Sequence, residues 1–259
     1  MSDEELVSLQ HALYDSRNPT RRWLHRTRRD WVSDAMRRFV RNGKRALEVG
    51  PGSGVYIPVL KSLCDSVTVT DCERAYLSAI ERRYSSDPSV RIAIDDITRT
   101  KLPDETFDLI LCTEVIEHIS DSAAAIKNLY RLMKKSGVLV LSTPQRYSTL
   151  EITARLALSP ALIWLTRMLY REPVLELGHI NLMTEKTLRG QIKAAGLHIV
   201  DHHKGGLYLP GVAELFGAAG QRAAGWLEAK IRNTSCDGIL WTQYYVLVRD
   251  SPESLRLDD

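Results

Sequence analysis

A short apolar strand, Arg45–Val49, runs straight into Gly50-Pro51-Gly52-Ser53-Gly54 and out again into a helical stretch, Val55–Cys64. Glycine has no Cβ, so a strand ending in alternate glycines before a helix can turn sharply and bring backbone very close to a ligand. The strand-then-helix order repeats. Hydrophobic patterning predicts further strands at Ser66–Thr70, Val90–Ile94, Phe107–Cys112 and Val138–Ser142, and helices at Glu73–Tyr84 and Ala123–Lys134. Strands alternating with helices of about a dozen residues form a parallel sheet covered on both faces. Right-handed crossovers place the loops that follow these strands along one edge, where ligands of such sheets bind. The expected fold class is therefore α/β, a doubly wound Rossmann-like sheet.

Elements outside this run are helical additions. Residues 1–43 alternate apolar and charged positions at helical spacing, with Trp23, Trp31, Met36 and Phe39 on the apolar side, and predict two helices forming a lid over the core at 44–148. Beyond Pro144 the rhythm breaks into an apolar helical insertion, 149–183, which begins with Thr149–Tyr170. The core pattern resumes over 184–250: a helix Thr184–Ala195 capped by Thr184 and stopped by Gly196, a strand Leu197–His202, a second helical insertion 211–232 and a last strand Trp241–Val248, before a tail at 251–259.

With 259 residues, 44% hydrophobic and 26% charged, the chain can bury one sizeable core, which excludes wholesale disorder. Cys64, Cys72, Cys112 and Cys236 form no C-x-x-C pair, and three lie in segments that read as core. Reduced thiols and an acidic N-terminus without a basic-apolar leader predict a cytoplasmic protein. No run of about 18 apolar residues is present to span a bilayer. A net charge of +3 argues against nucleic acid as a partner. Arg17, Arg21, Arg22, Arg26, Arg28 and Arg29 nevertheless form a basic block free of acids. It reads first as a solvated helix face, with anionic lipid, phosphorylated substrate or nucleic acid as alternative contacts.

The glycine turn alone fits either a bare turn or an adenosyl ligand. Asp71 ends the second strand about 20 residues later, where a carboxylate can accept both ribose hydroxyl protons. Glu48, at the end of a buried strand, needs a cationic partner or N–H donors, either from a cofactor amino group and loop amides or from an ordinary salt bridge. The spacing Glu48-x-Gly50-x-Gly52-x-Gly54 departs from the dinucleotide pattern and resembles the first motif of class I S-adenosylmethionine-dependent methyltransferases. Asp71 matches that family's ribose contact and Asp96-Ile97 its adenine contacts. Leu102–Asp108 resembles the approach to its fourth strand, and Leu132–Gly137 its following turn, with Lys135-Ser136 in place of Pro-Gly. The resemblance covers residues 43–145 closely and 179–250 more loosely. It implies a seven-stranded sheet with the last strand antiparallel, and S-adenosylmethionine as cofactor. Cys72 and Thr113 are counted with the cofactor contacts, and Tyr14 is expected to close over the ligand.

Methyl transfer from a sulfonium is an in-line displacement, so the protein mainly aligns the acceptor and excludes water, while a hydroxyl acceptor gains from a base or a metal. Thr113-Glu114-Val115-Ile116-Glu117-His118 follows the fourth strand. If helical, this turn puts Glu114, Glu117 and His118 on one face, where they could hold Mg2+ or another divalent cation. The pattern resembles the ubiquinone-biosynthesis O-methyltransferases, as does Ser142–Arg146, and is similar to the metal-binding pattern of small-RNA 2′-O-methyltransferases. His118 reads alternatively as a single general base or as structural. His179 could join it as base or ligand, whereas His202 and His203 read as structural or pocket-lining. The apolar insertion, with Arg155, Arg167 and Arg171 beside it, packs as an acceptor lid or makes peripheral membrane contact through 150–171. The expected reaction is O-methylation of a lipophilic or aromatic hydroxyl, of quinone or natural-product type. The alternatives are RNA methylation, an inactive adenosyl-ligand binder, and a nicotinamide oxidoreductase.

Overall fold

A computed structural model describes residues 13–16, 18–40, 43–157 and 178–250. Where two N-terminal helices were expected, the described part holds one, α1 (Pro19–Phe39). Residues 1–12 lie outside the described residues. Asn18 caps α1 by accepting the Arg21 N–H, and Pro19 occupies the first turn, where its missing N–H costs nothing. Its inward stripe is Leu24, Arg28, Val32, Ala35 and Met36, apolar at helical spacing except for one arginine.

The central strand is β1 (Gly43–Val49), paired in parallel with β2 (Cys64–Asp71) on one side and β4 (Phe107–Thr113) on the other. Outside β2 lies β3 (Val90–Ile94), and outside β4 lies β5 (Met133–Pro144). The last strand, β7 (Thr242–Val248), inserts antiparallel between β5 and β6 (His198–Gly205), giving the order β3-β2-β1-β4-β5-β7-β6. Strand order reverses between β1 and β4, which opens a crevice at their carboxyl ends.

One face of the sheet is covered by α1, α2 (Ile57–Leu63) and α3 (Arg74–Tyr84), through Val32, Met36, Leu60, Leu77 and Ile80. The other is covered by α4 (Ser122–Leu132) and α6 (Glu185–Ala194), through Ile126, Leu129, Leu188 and Ile192. These side chains are buried, so truncating one of the leucines to alanine costs about 2–5 kcal/mol. Between these two helices in sequence stands α5 (Thr149–Ala157); residues 158–177, the rest of the expected apolar insertion, lie outside the described residues.

Boundaries differ where local geometry overrides propensity. The expected helix through Lys134 stops at Leu132, because Met133 turns extended and pairs with Phe107. Gly137 permits the crossing, since a Cβ there would stand 2.5 Å from Met133 Cγ. Thr184 caps α6 by accepting the Thr187 N–H, and Gly196 follows it at φ +85°. The second insertion is α7 (Val212–Ile231), broken at Gly217. All four cysteines are free, but two rather than three are buried: Cys64 and Cys112 inside, Cys72 and Cys236 exposed. No helix among the described residues is long and apolar enough to cross a membrane.

Candidate active site

Gly50, Gly52 and Gly54 all adopt positive φ (66°, 52° and 71°), a conformation that other residues resist. The turn is tied down by Gly50 N–H donating to Thr70 O and Gly54 N–H donating to Pro51 O, both 2.8 Å. A Cβ on Gly50 would come within 2.4 Å of Val115 Cγ2, so the loop after β4 packs directly onto the turn after β1. Glu48 lies buried beneath, its Oε2 without a hydrogen-bond partner among the described residues, and burial pushes its carboxyl up to about 8.

Asp71, at the end of β2, accepts the Glu73 N–H, and burial raises its carboxyl above the usual range. Cys72 beside it is exposed. Asp96 folds its own loop, accepting the Thr98 N–H and Oγ1–H and pairing with Arg99, while Ile97 is buried and its carbonyl accepts from Asn128. The neighbouring Asp95 was missed in sequence. Its Oδ2 is buried without a hydrogen-bond partner among the described residues, and the adjacent pair Asp95-Asp96 was the available signal. Tyr14 stands edge-on to His25, with ring centroids 5.9 Å apart.

The segment after β4 is not the helical face expected of Glu114, Glu117 and His118. Thr113 closes the strand, Glu114 takes φ +56°, and only Ile116–His118 forms a 3-10 turn. Glu114 therefore points away from the other two, to Arg28 Nη1 at 2.5 Å and to the Ser142 hydroxyl at 2.9 Å. Glu117 is fully buried and accepts from Thr143 Oγ1 at 3.0 Å. Adjacent β5 hydroxyls thus hold the two carboxylates apart. Burial, reinforced by the Glu114 charge, raises the Glu117 carboxyl well above its ordinary range.

His179 is brought to this turn from far along the chain. Ile180 N–H and Asn181 N–H both donate to Glu117 O, and Asn181 Nδ2 donates to Ile119 O. The His118 and His179 rings lie edge to face, 5.2 Å between centroids. His118 Nδ1 is 3.0 Å from Gly178 O, and burial lowers its pKa. One ligand atom from each of Glu117, His118 and His179 lies within 4.8 Å of the others, a grouping that replaces Glu114 by His179 in the expected metal set. Behind it, the buried Glu151 places Oε1 3.2 Å from His179 Nδ1.

Sequence reading missed Glu151 and Arg28. A lone Glu in an apolar helix carried a weak signal. Arg28 was hidden in the basic block, where Arg21 shares its helical register with Leu24, and only the folded structure shows that Arg28 alone of the described arginines of α1 is buried. Among the other described members of the block, Arg26 pairs with Asp15 and Arg29 with Asp30, both solvent-accessible pairs.

A methyltransferase-domain family model matches residues 21–202. The chain belongs to the class I S-adenosylmethionine-dependent methyltransferases. A ubiquinone biosynthesis O-methyltransferase of Pseudomonas aeruginosa is 33% identical over 107 residues, 40% of this chain and 46% of the relative. The mitochondrial ubiquinone biosynthesis O-methyltransferase of Schizosaccharomyces pombe is 30% identical over 128 residues, 48% of this chain and 46% of its own. The match thus spans about half the length of these relatives. Phosphoethanolamine N-methyltransferase 2 of Haemonchus contortus, solved with S-adenosyl-L-methionine, shares the fold at TM-score 0.56 and 16% identity, over 86% of this chain and 53% of its own. The methyltransferase has features that fit its cofactor: a tight turn of three positive-φ glycines at the carboxyl end of β1, and a buried carboxylate oxygen with no partner among the described residues.

Proposed function

We propose that this methyltransferase methylates a hydroxyl oxygen on a lipophilic or aromatic small molecule, with His118 as general base. The carrying observation is the contact of His118 Nδ1 with Gly178 O at 3.0 Å. A carbonyl can only accept, so the contact favours the tautomer with the proton on Nδ1 and a free lone pair on Nε2. Burial lowers the imidazole pKa and keeps it neutral at pH 7, the state a base requires. O-methylation is favoured by the names of the curated relatives over the shared half.

In this reading bound S-adenosylmethionine supplies an electrophilic methyl group on sulfur. Backbone at Gly50, Gly52 and Gly54 would let it approach, Glu48 would accept from its ammonium, Asp71 would accept from its ribose hydroxyls, and the Asp96-Ile97 loop would hold the adenine. Cys72, Thr113 and Tyr14 would complete the same binding site. His118 takes the acceptor's proton, and His179, edge-on to it, shields that base. The test is transfer of labelled methyl from S-adenosylmethionine to a panel of alkyl phenols, amines and RNA. Phenol methylation, with kcat reduced about 100-fold or more in His118→Asn while S-adenosylhomocysteine still binds, supports the reading. Transfer to amines or RNA alone, or a fully active His118→Asn, overturns it.

A second reading rests on the grouping of Glu117, His118 and His179. Two imidazoles and a carboxylate would hold a divalent cation, softer in preference than the all-oxygen sets that suit Mg2+, and would lower the pKa of a bound hydroxyl. Loss of activity on chelation, restored by Mn2+, Zn2+ or Mg2+, distinguishes it from His118 acting as base alone.

A further inference from the structure

Helix α7 has one face with a use inside the protein and one without. Ala213, Gly220, Ala224 and Glu228 are buried, and Gln221 Nε2 donates to Pro19 O of α1. Glu228 is consumed internally, accepting the Gly206 and Leu207 N–H groups and pairing with Arg232. On the outer face Leu215, Phe216 and Trp226 are 79%, 67% and 65% exposed. Such side chains are costly to leave in water, and they stand on both sides of the break at Gly217, Leu215 and Phe216 before it and Trp226 after it. The charged side chains described on that face, Arg222 and Lys230, are both cationic, and no described carboxylate stands among them. Lys230 Nζ lies 5.9 Å above the Trp226 ring.

We infer that this face is a docking surface for an anionic lipid bilayer. Leu215, Phe216 and Trp226 enter the boundary between headgroups and acyl chains, and Arg222 and Lys230 pair with lipid phosphates. Exposed large apolar groups with the described cations Arg222 and Lys230 beside them are complementary to such an interface, which attracts both kinds of group at once. A protein partner would be expected to meet the cations with carboxylates at fixed positions, whereas a bilayer requires only the sign of charge and the apolar depth. The topology adds direction. The chain leaves for α7 after β6 and returns from it before β7, and Gly205 and Pro144 both pair with Thr242, so it departs and returns at the carboxyl edge of the sheet. The glycine turn and the Glu114–His118 loop follow β1 and β4 on that same edge. The helix is thus inserted at the edge of the sheet that carries the site. The inference stands on α7 and does not depend on which acceptor is methylated.

The test is co-sedimentation of the full chain with vesicles of phosphatidylcholine alone and of phosphatidylcholine with phosphatidylglycerol. Binding to the anionic vesicles is expected, about tenfold or more weaker to the neutral ones, and reduced by salt. The triple variant Leu215→Ser, Phe216→Ser, Trp226→Ser loses binding, and Arg222→Glu with Lys230→Glu loses the preference for phosphatidylglycerol. Both variants retain S-adenosylhomocysteine affinity, which confirms folding. No sedimentation with either vesicle, or sedimentation that the triple variant leaves unchanged, overturns the inference. So does a loss of self-association in the triple variant without lipid binding in the parent, which makes the face a contact between copies. Vesicle binding is read without methyl transfer, so its failure leaves the acceptor reading untouched.

Discussion

Arg28 on α1 and Glu114 in the loop after β4 meet at 2.5 Å, joining an N-terminal helix to the segment that carries His118. Arg28 also donates toward His25 Nδ1 at 2.9 Å and lies over the Trp241 ring, 5.1 Å to its centroid. Removing one member of a largely buried pair leaves the other charged and unsolvated. Arg28→Met is therefore expected to destabilise by about 3 kcal/mol, while Arg28→Met with Glu114→Gln recovers much of that loss. Denaturant unfolding of the single and double variants measures the coupling. Equal, additive losses would show that the pair does not act as a unit.

Glu48 predicts a proton signal on cofactor binding. Its carboxyl sits at about 8 because it is buried, so at pH 7 it is mostly protonated without ligand. An ammonium placed beside it favours the carboxylate, and binding then releases a proton. Calorimetry of S-adenosylmethionine binding in buffers of different ionisation enthalpy should show that release near pH 7 and its disappearance in Glu48→Gln. The same shift has a stability consequence. A folded-state pKa above the ordinary 4.5 contributes stability that is full below about 4.5 and is lost as pH rises through about 8.

Gly50 couples two loops. Alanine there would be strained at φ +66°, and its Cβ would overlap Val115. Gly50→Ala is expected to weaken S-adenosylhomocysteine binding about tenfold or more, and Val115→Ala to restore only part, since space returns and backbone strain does not. Full restoration would mean that sterics alone set the turn.

Glu151 tests how His179 is held. Oε1 lies 3.2 Å from Nδ1 without hydrogen-bonding geometry, so the buried carboxylate packs against the ring and fills the space behind it. Glu151→Ala should lower kcat about 10- to 100-fold with cofactor affinity unchanged. A fall in cofactor affinity of the same size would point to collapse of the site instead.

His203 stacks on Trp31 at 5.7 Å, and burial, then Arg232, lowers its pKa to about 4. The unfolded imidazole takes its proton near 6.5 and the folded one does not, so stability is full above about 6.5 and is lost as pH falls toward about 4. Thermal unfolding of His203→Gln against the parent, between pH 7 and pH 4, should show this slope reduced.

The sheet, its seven strands and the glycine turn were legible in sequence because they rest on local rules: periodicity fixes which residues face the core, and only glycine tolerates the turn at Gly50, Gly52 and Gly54. Glu48 and Asp71 could be marked because their distance from that turn is set by one strand and one crossover. The acidic and histidine cluster could not be assembled this way. Helical spacing grouped Glu114 with Glu117 and His118, whereas a positive φ at Glu114 and the reach of Arg28 across 86 residues send its carboxylate elsewhere. His179 and Glu151 arrive from segments whose position depends on how the chain folds back over β4 and β5, through backbone bonds such as Ile180 N–H to Glu117 O. Sequence alone determined the scaffold and the cofactor turn, since both follow from near-neighbour sterics and burial. Tertiary structure decided which charged groups share a site, since that depends on contacts between residues far apart in the chain.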